Sequence, residues 1–303
     1  MRILITGGSG FVGRRLCARL ARQGHELRVV SRQPEAARRV LPDTAEVRRN
    51  VLDFVDAAPE AIVNLAGEPI AARRWSEAQK RRLVDSRVAI TRELVDLCGR
   101  LETPPRVMVS GSAMGYYGDQ GQRTVDEQTS PNEEFAHRLC AEWERQALEA
   151  EPLGVRVALL RTGLVLDAEG GTLAKMLPAF KLGLGGRLGN GRQFMPWIHR
   201  EDHVRSIEFL LEHDTLSGPF NASAPQPVTN AEFTRSLARH LHRPALMTVP
   251  APLLELALGE MSRLLLTGAD MRPRRLLDAG FRFEYETLDA VLDAILSRGK
   301  RRE

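Results

Sequence analysis

The chain has 303 residues, of which 43 are lysine or arginine and 39 aspartate or glutamate, for a formal net charge of +4. So small an excess, spread along the chain, argues against a nucleic-acid-coating protein, and the basic tail RGKRRE reads as a solvated end. No apolar run approaches the roughly 20 residues that a membrane-spanning helix needs, so neither nucleic acid nor a bilayer is an expected partner.

The first element is a strand, RILIT at residues 2–6, which runs directly into Gly7. Gly7, Gly10 and Gly13 give the spacing GxxGxxG. The next stretch, RRLCARLARQG, puts Leu16, Leu20 and Ala21 on one helical face and ends on Gly24 as a natural cap. ELRVVSR is then a second strand. Strand, glycine turn, helix and strand within about 30 residues is the layout of a dinucleotide site. Gly7 makes the tight turn, Gly10 lets the backbone approach a pyrophosphate, and Gly13 lets the helix pack close to the sheet. Free amides and the dipole at the helix start hold the phosphates. A purely structural glycine turn is the competing reading.

At the end of the second strand, VVSRQ offers Ser31 and Arg32 and no acid before Glu35. A carboxylate there would bind a ribose 2′-OH and repel a 2′-phosphate. Arg32, with Arg14, Arg15 or Arg38 beside it, suits the phosphate. NADP(H) is therefore expected in preference to NAD(H), against the plainer reading of a solvated surface arginine. A strand pattern from residue 2 leaves no stretch for a signal peptide. Cys17, Cys98 and Cys140 lie in helical apolar patterns without metal-ligand spacing, so they read as small buried hydrophobes. A cytoplasmic protein without a metal site is expected.

Further strands follow at AIVNLAG (61–67), RVMVSGSAMGYYGD (106–119) and VRVALLRTGLVL (155–166), and WIHREDHV (197–204) leads into an amphipathic helix. This order resembles the extended short-chain dehydrogenase/reductase superfamily. The motifs NLAGEPI, SRVAITRELV, SGSAMGYYGD, FMPWIHRED, VPAPLLELALGEMSRLLL and RPRRLLDAGFRF narrow the resemblance to its epimerase-family, sugar-nucleotide epimerase-like branch, which carries a C-terminal domain of unknown function.

The resemblance implies an α/β fold, a Rossmann-type doubly wound parallel sheet with a smaller α/β C-terminal substrate lobe. Residues 1–165 would form the dinucleotide-binding core, with 197–222 returning to it. Residues 166–196 and 223–303 would form the substrate-side lobe and C-terminal extension. It also implies that Gly7, Gly10, Phe11 and Gly13 meet the pyrophosphate and Arg32 the 2′-phosphate. Leu65, Ala66 and Gly67 would flank the nicotinamide-side ribose, with Ser110 near that ribose and Arg161 near the carboxamide end. Arg87 stands where relatives have an asparagine, and Thr91 keeps its helix position.

Enzymes of that superfamily usually work through a Tyr-x-x-x-Lys pair, the lysine lowering the phenol pKa. The corresponding window, SPNEEFAHRLCAEWERQ (130–146), has Phe135 and Leu139 at that spacing and neither tyrosine nor lysine. Candidate replacements are Ser112 with a loop tyrosine, Tyr116 or Tyr117, and Glu68 directly after the Ala-Gly turn. Each has a plainer reading: Tyr117 as a packed ring, Glu68 as an exposed loop acid. His137 lies about 200° around a helix from Phe135 and should face away. Glu133 and Glu134 suit the start of that helix.

On the substrate side, GLGGRLGNG (183–191) has too many glycines for a helix or strand interior and reads as a mobile loop. Sugar-nucleotide epimerases commonly carry an arginine four residues before the histidine of the IH motif; here Met195 stands there, which speaks against a UDP-sugar. His199 reads as a buried structural histidine. In TLDAVLDAIL the stripe Leu288, Val291, Leu292, Ile295 and Leu296 is a core face or a dimer contact, leaving monomer and homodimer open. Two functions follow. One is an NADP(H)-dependent oxidoreductase or epimerase-like enzyme acting on an unidentified small molecule. The other is a non-catalytic NADP(H)-sensing protein that acts through a protein partner.

Overall fold

The computed structural model describes the backbone of residues 1–300 and the side chains of 1–297, so the expectation for the tail RGKRRE falls outside the described side chains. The first half runs β1 (Arg2–Thr6), α1 (Phe11–Arg22), β2 (Glu26–Val30), α2 (Pro34–Arg38), β3 (Glu46–Arg48), β4 (Ala61–Asn64), α3 (Glu77–Arg100) and β5 (Val107–Ala113). Next come β6 (Thr124–Val125), α4 (Phe135–Leu148), β7 (Arg156–Thr162), β8 (Leu164–Asp167), α5 (Gly171–Lys181), β9 (Gly186–Leu188), β10 (Phe194–Met195), β11 (Trp197–His199), α6 (Arg200–Glu212) and β12 (Gly218–Ala222). The chain ends through β13 (Val228–Thr229), α7 (Asn230–Leu241), β14 (Met247–Val249), α8 (Ala251–Leu258), α9 (Arg263–Leu266), β15 (Asp270–Met271), α10 (Arg274–Asp278) and α11 (Leu288–Lys300).

Seven strands form one sheet in the order β12-β7-β5-β4-β1-β2-β3, with every neighbouring pair parallel. Strands buried on both faces need near-continuous apolar runs, and β4 and β5 supply them. Because side chains alternate, Ile3 and Ile5 of β1 join the core under α1 and α6, whereas Leu4 joins the one under α3 and α4. The strand order departs from β1 in both directions. The crevice at the carboxyl ends of β1 and β4 is therefore the place where a doubly wound sheet takes its ligand. The fold is the Rossmann-type one that the motifs imply.

A third core joins α5, α7 and α11 around Trp197 and forms the smaller lobe. Leu288, Val291, Leu292 and Ile295 are buried in it and Leu296 packs partly buried against it, so the stripe of α11 faces this core. Two further expectations change. Part of the glycine-rich segment is a strand, since β9 pairs in parallel with β14 some sixty residues later. The apolar stretch LLELALGEMSRLLL is not one helix: a short 3-10 turn at Gly259–Ser262 separates α8 from α9, and no residue of α8 is buried. Among the described residues no helix is long and apolar enough to cross a membrane, and no His, Cys, Asp and Glu group could hold a metal ion.

Candidate active site

The glycine turn is closed by backbone. Gly7 has φ of 70°, and a Cβ on it would lie 2.6 Å from the Leu65 carbonyl oxygen in the loop after β4. A Cβ on Gly13 would overlap the Gly7 carbonyl oxygen and lie 2.6 Å from Gly8 Cα, so α1 can approach the turn only without a side chain there. A Cβ on Gly10 would meet only the Gly7 oxygen, at 3.1 Å. Gly10 caps α1 without any side-chain hydrogen bond, and the first turn carries no acid. The Gly10 amide donates to the Gly7 carbonyl at 3.0 Å, but no side chain caps the first turn of α1 and no carboxylate competes there, which fits a pyrophosphate. Phe11 begins that helix. Its ring lies against Gly170 and Gly171, where a Cβ on Gly170 would stand 2.5 Å from the ring, and Arg200 stacks 5.0 Å from the ring centroid.

Arg32 is exposed and makes no ion pair or hydrogen bond to a described residue. Its neighbours are committed: Arg38 holds Glu35 and the Val47 carbonyl, and Arg48 holds Glu46 and Asp56. Arg15 is removed from the candidate phosphate partners, because Glu201 on α6 takes its guanidinium at 2.6 Å. The residues at the end of β2 therefore fit a 2′-phosphate through Arg32.

Across the crevice, the loop after β4 is held by Thr6: its carbonyl accepts from the Leu65 amide at 3.1 Å, and its Oγ1 accepts from the Ala66 amide at 3.3 Å. Gly67 lies against the Arg87 guanidinium. Glu68 is half-buried, its amide donating to Ser86 Oγ at 3.0 Å and its Oε1 accepting from Gln79 at 2.9 Å. Below the loop, Asn64 gathers a buried polar chain. It accepts from Thr6 Oγ1 at 2.7 Å and donates to Thr91 Oγ1 at 2.8 Å and to Ser110 Oγ at 3.2 Å. Ser110 is thereby fully enclosed, with its hydroxyl held by Asn64 and not open to a direct contact with a ribose.

Three more expected residues belong to one buried network. Arg161 forks onto Glu144, Nε to Oε1 at 2.8 Å and Nη2 to Oε2 at 2.9 Å. Its Nη1 donates to the Tyr117 hydroxyl and to the Glu127 carbonyl, each at 3.2 Å. Burial works against this cation, but the Glu144 carboxylate outweighs it and holds the pKa above the ordinary arginine range. So engaged and buried, the Arg161 guanidinium is spent on Glu144, Tyr117 and Glu127, which does not fit an open contact at the carboxamide end of a cofactor. Ser112 donates to Glu144 Oε1 at 2.6 Å, so its hydroxyl proton is already committed.

Tyr117 is fully buried, and its hydroxyl donates to Asn221 Oδ1 at 2.7 Å. Burial pushes its pKa up to about 12, the opposite of what a catalytic phenol needs. Enclosed and bonded in this way, Tyr117 fits a structural role better than a catalytic one. Tyr116 is different. It is half-buried, its ring covers the Arg161 guanidinium with Cζ 3.3 Å from the centroid, and its hydroxyl makes no hydrogen bond to a described residue.

Phe135 and Leu139 pack with Leu83 and Cys140, with Trp75 and Tyr116 against them, and Trp75 meets Phe135 edge-on at 4.8 Å. The usual place of the tyrosine–lysine pair is thus apolar. His137 turns from Phe135 as expected, and its Nδ1 lies 2.7 Å from the Tyr116 carbonyl oxygen, which pins the tyrosine turn. His199 is buried and caps α6 by accepting from the Glu201 amide. Glu144, Glu127 and Asn221 were missed by sequence reasoning. For Glu144 a signal existed: it lies one turn after Cys140 and beside Trp143 on the buried face of α4. For Glu127, whose buried carboxyl has a raised pKa while it accepts from the Asn221 amide at 2.9 Å, no local signal existed.

Comparison with known proteins agrees with this geometry. Residues 3–222 match the family described as NAD dependent epimerase/dehydratase, and residues 249–295 match a domain of unknown function, DUF1731. The chain is 40% identical over 300 residues to epimerase family protein ML0860 of Mycobacterium leprae (strain TN), covering 98% of this chain and 96% of that one. It is also similar to the crystal structure of human epimerase family protein SDR39U1 (isoform 2) with NADPH, at 32% identity and a TM-score of 0.87, over 98% of this chain and 99% of the other. UDP-glucose 4-epimerase from Thermotoga maritima shares the fold at 17% identity, with a TM-score of 0.78 over 100% and 99% of the two chains. With the glycine turn, the parallel sheet and an end-to-end relative in agreement, the chain belongs to the NAD dependent epimerase/dehydratase family.

Proposed function

We propose that this chain is an NADP(H)-dependent oxidoreductase or epimerase-like enzyme acting on an unidentified small molecule, with the Tyr116 hydroxyl as its proton carrier. One observation carries the reading: the Tyr116 hydroxyl is uncommitted beside the apolar cluster that fills the usual place of the catalytic pair, while those of Ser112 and Tyr117 are spent on Glu144 and Asn221. When bound, the nicotinamide supplies or takes up a hydride. Arg161, held by Glu144, fixes the Tyr116 ring, and the phenol oxygen gives a proton to a substrate oxygen or takes one from it. Glu68, whose Oε2 is uncommitted, is the second candidate. Arg32 supports NADP(H) over NAD(H), as does the NADPH in the human relative.

A second reading, an NADP(H) sensor that acts through a protein partner, is favoured by the apolar cluster of Phe135, Leu139, Trp75 and Leu83. A panel of carbonyl compounds followed by NADPH absorbance separates the two. Tyr116→Phe should lower turnover by about 100-fold or more, the typical worth of a positioned proton donor. Arg32→Ala should weaken NADPH about 10- to 100-fold and leave NADH unchanged. Turnover undiminished in Tyr116→Phe ends that assignment. Tight binding without turnover across the panel leaves the sensor.

A further inference from the structure

Arg87 stands on α3 one turn before Thr91, with its guanidinium wedged between α3, α4 and the loop after β4. Nη1 donates to the Leu83 carbonyl at 2.9 Å and to Ser86 Oγ at 3.3 Å, and Nη2 donates to the Glu68 carbonyl at 2.9 Å. Cζ lies 5.3 Å from the Trp143 ring centroid, and Nε is buried without a hydrogen-bond partner. These partners are all neutral. The Glu68 carboxylate turns toward Gln79, and Arg87 forms no ion pair among the described residues. Arg161, which is more deeply buried than the half-buried Arg87, is neutralised by Glu144. Arginine does not shed its proton in proteins, so a full positive charge persists here. Burial pulls the pKa of Arg87 below the ordinary arginine range, the mark of a cation whose lost hydration is not made good.

The strand order says which half of a dinucleotide this charge faces. Arg32 follows the end of β2, on the adenosine side of the glycine turn. Gly67 and Arg87 flank β4 and β5, on the other side, where the nicotinamide half must run. An oxidised nicotinamide ring carries a positive charge and a reduced ring none. A cation a few ångströms to a nanometre away, inside protein, repels the first and ignores the second.

We infer that Arg87 sets the redox preference of the cofactor site, disfavouring the oxidised nicotinamide so that the reduced nucleotide binds more tightly; this rests on the NADP(H) reading above. Leu139 removes a cation from α4, and Arg87 restores one from α3, with no proton-carrying tyrosine beside it. Its role is to select the state of the cofactor.

The test is calorimetric titration of the full chain with NADPH and with NADP⁺ separately, reading the ratio of the two dissociation constants. The wild type should favour NADPH by about tenfold or more. Arg87→Met should shrink that ratio about tenfold, chiefly by tightening NADP⁺, and Arg87→Lys should keep it. Glu68→Gln leaves Arg87 in place and removes the nearest carboxylate, so it should widen the ratio about threefold, which keeps the inference testable if Arg87→Met does not fold. An unchanged ratio in Arg87→Met with both nucleotides still bound, equal weakening of both, or a narrower ratio in Glu68→Gln overturns it. Wild-type protein that binds neither nucleotide sinks the cofactor reading itself.

Discussion

Replacing Glu144 by glutamine keeps the shape of the side chain and removes one charge. Its carboxylate receives three charge-assisted or short hydrogen bonds, from Arg161 Nε, Arg161 Nη2 and Ser112 Oγ, at 2.8, 2.9 and 2.6 Å. Only 7% of the Glu144 side chain and 4% of the Arg161 side chain are exposed, so water cannot take over. The amide also turns one acceptor into an N–H group that faces a donor. Breaking a buried pair this way costs about 3–5 kcal/mol, because the remaining cation is stranded. Removing both charges in Glu144→Gln/Arg161→Met should recover more than half of that loss, since the double variant strands no charge. Urea unfolding midpoints of the wild type, both single variants and the double give the coupling directly. A Glu144→Gln loss below about 1 kcal/mol, or a double variant as unstable as the sum of the singles, would refute the reasoning.

His203 is fully enclosed with a pKa lowered by burial to about 4, against 6.5 for the free side chain. Between those values the unfolded chain binds a proton that the folded chain refuses. The contribution is therefore whole above about pH 6.5 and lost as pH falls toward 4, worth on the order of 3 kcal/mol. Against a His203→Gln variant, the wild type should lose that much more stability between pH 7 and pH 4, and parallel curves would reject it. Asp202 and Glu127, whose raised pKa values act in the opposite sense, are common to both proteins. In the glycine turn, Gly13→Ala should cost about 3 kcal/mol or more, since backbone must move, whereas Gly10→Ala should cost under about 1. Equal melting-temperature losses in the two variants would show that the turn is looser than its distances imply.

How much of this was legible depends on how far apart the partners lie. The glycine turn was readable because the constraints on Gly10 and Gly13 act on backbone within seven residues, although the Leu65 carbonyl that closes on Gly7 comes from the loop after β4. The sheet was readable because strands buried on both faces carry unbroken aliphatic runs. The fate of Tyr117 was not, because its partner Asn221 is 104 residues away and nothing near residue 117 announces it. Arg161 looked like a loop residue near a cofactor, since the chain hides that Glu144 meets it from the neighbouring helix. The segment GLGGRLGNG read as a loop for the same reason: the strand that orders it, Met247–Val249, comes far later.

Phe11 does two things at once. Its amide opens the helix that faces the phosphates, while its ring is lodged in the Gly170–Gly171 bend that begins α5, with no room even for a methyl group between them. The glycine turn and the smaller lobe are therefore packed against each other through one aromatic ring. The bend that begins α5 leads into the core that α5 shares with α7 and α11, so a substitution that shrinks the Phe11 ring would loosen the packing of the glycine turn and of that core together.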